Sequence, residues 1–195
     1  MAADGADAKR RLRTLLAERR RRVAPRDAAA AADAVAQAVV EEPRIRASER
    51  IALYAALEGE MPTRALFEAL RSRSHVLLLP RFRGNAIEWA RIEEWSALAA
   101  GRFGILEPTA GASEVLATRD VAVLPGLAFD RDGWRLGRGG GHYDRAFPPG
   151  AASPWLIGIG YSFQWLSEVP HDSHDRRVDA IVSENGWIWR VRGAH

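Results

Sequence analysis

A chain of 195 residues with 47% hydrophobic and 27% charged residues has globular composition, which excludes the disordered and fibrous classes. It has no cysteine, so disulfides, thiolate metal sites and a cysteine nucleophile are excluded, and no apolar run approaches the roughly 20 residues of a spanning helix. The net charge of +3 hides a local excess: residues 9 to 26 carry nine cations against Glu18, a net +8, so the remainder is −5. Such a segment can serve nucleic acid, an acidic membrane surface or a small polyanion.

The first helix is expected over residues 6 to 23, charged from its start and without the apolar region of a signal peptide. Its apolar stripe holds Leu12, Leu15, Leu16 and Val23; Lys9, Arg13 and Arg20 line one edge of that stripe, and Arg10, Arg11, Arg21 and Arg22 point to solvent. Lys9 is the only lysine beside 27 arginines. A second helix spans 27 to 42, with Asp27 as N-cap and Pro43 as its stop. Strands and helices then alternate. Strands are expected at 50–57, 75–80, 86–92, 120–126, 155–161 and 178–184, with WIWRV closing the chain and a helix at 62–71. Near-continuous apolar strands in this alternation predict an α/β fold: three layers, α/β/α, around a mainly parallel, Rossmann-like sheet covered by helices on both faces. No linker divides the chain, so residues 1–195 read as a single domain.

The chemistry concentrates between Pro125 and Phe147. Gly137, Gly139, Gly140 and Gly141 follow a buried strand and precede a short helix, with Arg135, Arg138 and Arg145 around them. Glycines at positive φ can turn successive N–H groups onto one anion, and a helix N-terminus adds to that. A solvent loop with incidental arginines fits the same residues equally well. The Gly-Lys-Ser/Thr ending of a P-loop is absent.

The run VLPGLAFDRDGWRLGRGGGHYD, residues 123 to 144, resembles the glycine-rich ATP loop of the 5-formyltetrahydrofolate cyclo-ligase family, in order and without a gap. AKRRLR (8–13), IALYAALEGEMPT (51–63), FGILEP (103–108), IGIGYSFQ (157–164) and VPHDSHDRRVDAIVSE (169–184) resemble further elements of that family. His142 stands where the family usually has Tyr, which bears on ring packing against the nucleotide. The resemblance implies conversion of 5-formyltetrahydrofolate to 5,10-methenyltetrahydrofolate with ATP and Mg²⁺. It implies ATP contacts from Lys9, Arg13, Arg135, Gly137, Arg138, Gly139, Gly140, Gly141, His142 and Tyr143. For Lys9 and Arg13 the residues alone favour a solvated helix face.

The same resemblance places folate at Ala55 and Glu60, with Gln164 at a strand end facing the cleft. Phe103 and Trp89 are aromatic candidates for ring stacking, although core packing is the commoner role. Asp144 and Asp179 are implied as the two Mg²⁺ carboxylates, against the ordinary readings of a helix-start and a strand-start aspartate. His171, Asp172, His174 and Asp175 match no standard zinc spacing and read as a capped loop. The resulting expectation is a cytoplasmic, monomeric enzyme with small-molecule partners and neither nucleic acid nor membrane as a target. A paralogue with another substrate, or a nucleic-acid module using the basic helix, are the competing readings. Against the latter, the basic segment has no interleaved aromatics.

Overall fold

The computed structural model describes residues 2–101 and 104–190. Helix α1 (Ala2–Arg21) is followed by α2 (Pro25–Val40) and a one-turn α3 (Pro43–Ala47). Pro25 occupies the first turn of α2, where its missing N–H costs nothing, so Ala24 rather than Asp27 is the N-cap. Pro43 likewise starts α3 instead of only ending α2.

Eight strands form one sheet. They are β1 (Arg50–Ala52), β2 (Val76–Arg83), β3 (Ala86–Ile92), β6 (Ser113–Glu114), β7 (Val121–Pro125), β10 (Trp155–Ile159), β12 (Ala180–Ser183) and β13 (Gly186–Arg190). The remaining short strands pair in two small sheets: β4 (Leu98–Ala100) with β5 (Leu106–Pro108), and β8 (Ala128–Asp130) with β9 (Arg135–Leu136) and β11 (Trp165–Leu166). The main order is β13-β12-β10-β7-β1-β2-β3-β6. The five inner strands are parallel, and antiparallel partners close both edges.

Alternate residues of these strands enter two cores. Ile51, Leu53, Leu77, Leu79, Val121, Val123, Ile157 and Ile159 face one side, where Val35 and Val39 of α2 and Phe67 and Leu70 of α4 (Arg64–Arg71) pack on them. Ala52, Leu78, Ala122, Leu124, Leu156 and Ile181 face the other, against Phe129, Phe147 and Val178. That second layer is thinner than a helical one. Its only helix among the described residues is α5 (His142–Ala146), and coil and the small β8–β9–β11 sheet complete it. Burial on both faces explains why the inner strands read as unbroken apolar runs.

β1 ends at Ala52, shorter than the expected 50–57, because the chain beyond it leaves the ladder and its polar groups bond within a turn: Thr63 Oγ1 donates to the Tyr54 carbonyl, and Leu57 N–H donates to Glu60. From β1 the chain moves to β2 on one side, and later through β7 and β10 on the other. The gap between the C-terminal ends of β1 and β7 is therefore the topological switch point, where open α/β sheets have room for a ligand.

Candidate active site

A cleft of about 990 Å³ lies at that switch point. Tyr54 and Ala55 after β1, Pro80 and Phe82 of β2, and Pro125 and Gly126 at the end of β7 line its walls. The glycine-rich stretch from Gly137 to Gly141 and the start of α5 form another wall, and α1 contributes Ala6, Lys9 and Arg13.

Close packing fixes the floor. A Cβ on Gly126 or on Gly158 of β10 would stand 2.4 Å from the Phe129 ring, so both positions have to be glycine. Gly139 and Gly141 have φ of +103° and +63°, the left-handed region that other residues adopt at a cost. These two glycines supply the bends that wrap the loop around the cleft. α5 is only five residues long, so the dipole expected of the following helix is small; the loop backbone and arginines must supply the positive field.

The basic helix is divided by its own periodicity. Lys9, Arg13, Leu16 and Arg20 share one face: Lys9, Leu16 and Arg20 are buried and Arg13 half-buried, whereas Arg10, Arg11, Arg21 and Arg22 are exposed. Leu15, assigned to the apolar stripe from sequence, is exposed, because the surface α1 packs on (Leu127, Ala128, Leu136 and Val169) reaches Leu16 and not Leu15. A solvated face for Lys9 and Arg13 is thereby ruled out. Arg13 Nε donates to the Gly137 carbonyl at 3.0 Å.

Lys9 Nζ donates to Asp172 at 2.5 Å and to Asp175 at 2.6 Å. Burial pulls the Lys9 pKa down, but bonds to and charge of the two aspartates outweigh it and leave the ammonium above its usual value. The 169–176 segment is the capped turn read from sequence, with Asp172 N–H donating to Asp175, and it also borders the cleft.

Arg135 is buried, with Nη1 donating to the Pro125 carbonyl and Nη2 to Asp144 Oδ1 at 2.9 Å. Its guanidinium lies 5.6 Å from the Tyr143 ring centroid. Burial, with the Glu60 charge adding, raises the Tyr143 hydroxyl pKa, so it stays protonated and can donate a hydrogen bond. His142 meets Phe82 edge-on, with ring centroids 5.1 Å apart. Glu60 is buried, 3.5 Å from Arg138 of the loop and 3.8 Å from Arg20 of α1.

Lys9, Arg13, Arg135, Gly137, Arg138, Gly139, Gly140, Gly141, His142, Tyr143, Asp144, Ala55 and Glu60 thus converge on one cleft. Three sequence candidates do not. Gln164 is fully buried, its amide oxygen accepting from Tyr161 N–H and its nitrogen donating to the Gly126 and Leu127 carbonyls, so it braces the floor from beneath. Trp89 is core, stacked on Phe147 at 6.0 Å. Asp179 immediately precedes β12 at the opposite end of the sheet, where its carboxylate accepts from Leu156 N–H at 2.8 Å. It lines a separate cavity with Arg44 and Trp155, and does not pair with Asp144. Burial raises its pKa against the pull of Leu156 N–H, Arg176 and Arg44. Phe103 lies outside the described residues. The cleft also contains Tyr54, Phe82, Asp172 and Asp175, to which no role was given from sequence.

The family model described as the 5-formyltetrahydrofolate cyclo-ligase family matches residues 6–184. The chain belongs to this family. Its relatives include the mouse 5-formyltetrahydrofolate cyclo-ligase, 30% identical and covering 92% of this chain and 91% of the mouse one. The Escherichia coli K12 cyclo-ligase is 27% identical over 90% of this chain and all of its own length. The NMR structure of Aquifex aeolicus 5,10-methenyltetrahydrofolate synthetase superposes with a TM-score of 0.83 at 31% identity, covering 96% of this chain and 94% of that one. Membership makes the chain an ATP-dependent ligase and confirms the α/β architecture with its mostly parallel sheet. No helix among the described residues is long and apolar enough to cross a membrane.

Proposed function

We propose that this cyclo-ligase converts 5-formyltetrahydrofolate to 5,10-methenyltetrahydrofolate with ATP and Mg²⁺, releasing ADP and phosphate, as a single-domain cytoplasmic monomer. One observation carries the reading. A single cleft at the switch point joins an arginine-flanked glycine loop to a recess that holds Tyr54, Ala55 and Glu60. A nucleotide and a second flat, polar substrate can meet there.

In this reading the γ-phosphoryl group passes to the formyl oxygen as its bond to ADP breaks. N10 of the folate then attacks the formyl carbon and loses its proton, and the C–O bond to phosphate breaks. The nucleophiles belong to the substrates, so the protein's share is positioning and charge stabilisation. Lys9, Arg13, Arg135 and Arg138 neutralise phosphate charge, and the loop N–H groups orient it. Glu60 holds the pterin end of the folate, and Tyr143 donates its retained proton within the cleft.

Mg²⁺ fits these residues only in part. Among the described residues no group of three or more metal-ligating side chains is gathered. Asp144 has one oxygen bonded to Arg135 and Arg176 N–H, which leaves the second. One carboxylate with substrate phosphates and waters is a common Mg²⁺ arrangement, so Asp144 alone would hold the ion. When bound, it would neutralise charge on the phosphates.

The decisive experiment incubates purified protein with 5-formyltetrahydrofolate, ATP and Mg²⁺ and follows methenyl-folate absorbance. Product should appear only with all three present. Full-rate product without ATP, or no product with all three, overturns the reading.

A further inference from the structure

Arg20 is the least expected charge in the molecule. It is 4% exposed, its Nε is buried without a hydrogen-bond partner, and burial lowers its pKa despite the nearby Glu60 charge. A buried, incompletely bonded guanidinium carries a large desolvation cost, and apolar residues can fill such a place as well or better. Its contacts lie along the cleft. Nη1 donates to the Gly126 carbonyl at 3.3 Å, and Nη2 stands 3.8 Å from Glu60 Oε1. The turn at Gly59 rests on it, since a Cβ there would lie 3.4 Å from the Arg20 Cβ.

Glu60 has two cationic neighbours of different character. Arg138 rides on the glycine loop with its side chain 52% exposed, while Arg20 is anchored in the longest helix and sealed from water. Glu60 Oε2 accepts from Leu57 N–H at 3.0 Å, and of the two cations beside Oε1 Arg20, held in α1, is the one already in place before either substrate arrives.

We propose that Arg20 is a positioning residue for the folate half of the reaction. It holds the Glu60 carboxylate and the Gly126 turn at fixed spacing, so that α1 aligns the folate subsite as well as the nucleotide subsite. The inference rests on the reading of Glu60 as a folate contact. It explains why Arg20 falls on the Lys9–Arg13 face of α1 while the neighbouring Arg19, Arg21 and Arg22 are exposed.

The test measures 5-formyltetrahydrofolate and ATP binding separately by calorimetry, with KM for each, in Arg20→Met, Arg20→Lys, Glu60→Gln and the Arg20→Met/Glu60→Gln double variant. Thermal melting of each accompanies these. Arg20→Met should weaken folate on the order of tenfold or more, with ATP binding changed less than about twofold. Arg20→Lys, which keeps charge without the two-armed fork, should recover part of the loss. Because part of the Arg20 effect runs through Glu60, the double variant should lose clearly less folate affinity than the sum of the two single losses. Equal weakening of both substrates, or additive losses in the double variant, overturns the proposal. Should Arg20→Met fail to fold, Arg20→Lys decides by the same split: a folate-selective loss supports the proposal and wild-type folate binding overturns it. Wild-type protein that binds no folate would overturn the proposed function and this inference together, a result distinct from the loss of the split alone.

Discussion

Lys9 shows how one residue changes meaning between sequence and structure. Its position on α1 points it to the cleft, and there it meets Asp172 and Asp175 from a segment 163 and 166 residues away. The two carboxylates hold the ammonium at the edge of the cleft, where the proposed function has it meet phosphate. Lys9→Ala should raise the KM for ATP more than that for folate, by roughly 10- to 100-fold, the loss of one charge-assisted contact of about 1.5–3 kcal/mol. Arg21→Ala, on the exposed face, should change neither KM by more than about twofold. Steady-state kinetics of both variants checks this, and equal effects would refute the assignment.

The same cluster makes a pH prediction. Burial acts to raise the Asp175 pKa, but the bond and charge of Lys9 and the Asp172 N–H outweigh it, and the folded value lies below the usual one. Its stabilising contribution is therefore present above the unfolded pKa, near 3.8, and is lost as pH falls through the depressed folded value. For Lys9, whose folded pKa is raised, the contribution is present below the unfolded pKa and lost as pH rises through the folded one. Melting temperature against pH should show Asp175→Asn losing stability at neutral pH and approaching wild type at the acid end. Parallel curves throughout would contradict the linkage.

At the scale of elements, the glycine loop is a set of backbone angles more than a set of side chains. Gly139 and Gly141 sit at positive φ, and a side chain on Gly141 would also meet the Arg145 guanidinium at 2.7 Å. Gly139→Val or Gly141→Val should reduce ATP-dependent turnover at least 100-fold by rough reckoning, through strain and blocked approach to phosphate. Melting should fall by only a few degrees, since the loop is largely outside the cores. Normal turnover with normal melting would show that the loop does not cradle phosphate. Arg135→Ala removes charge without altering backbone shape, so Arg135→Lys should recover part of its activity. Arg135 also ties β7 to α5 through Pro125 and Asp144, and recovery should be incomplete because an ammonium cannot span both.

For the molecule as a whole, the sheet separates two aspartates that resemblance had joined. Asp144 borders the cleft beyond the C-terminal strand ends, and Asp179 stands at the N-terminal end of β12. Asp144→Asn should raise the Mg²⁺ concentration needed for half-maximal rate several-fold, whereas Asp179→Asn should leave it unchanged and keep the Leu156 N–H bond through its amide oxygen. Metal titration of initial rate in both variants measures this. A matching rise in the two would restore Asp179 to the metal site.

How much could be read beforehand follows from where the information resides. The parallel sheet was legible because strands buried on both faces must be apolar throughout, as in Val121–Pro125 and Trp155–Ile159. The period of α1 sets Lys9 and Arg13 at the edge of its apolar stripe, but the residues alone favour a solvated face and only the family resemblance points them to the cleft; the clustered glycines mark the positive φ found at Gly139 and Gly141. The thinness of the second layer was not legible, since short strands such as Ala128–Asp130 and Arg135–Leu136 carry too little periodicity to register. Nor were the partners of long-range side chains. Gln164 could equally have faced solvent, substrate or backbone, and only the approach of Gly126 and Leu127 decided it. Sequence alone determined the class of fold, the family and the place of the glycine loop, which are local patterns of residue type. Tertiary structure alone decided which charges share a cleft, because strand order and helix docking bring together groups that the chain keeps far apart: Arg20 with Glu60 and Gly126, Lys9 with Asp172 and Asp175, and Asp144 away from Asp179.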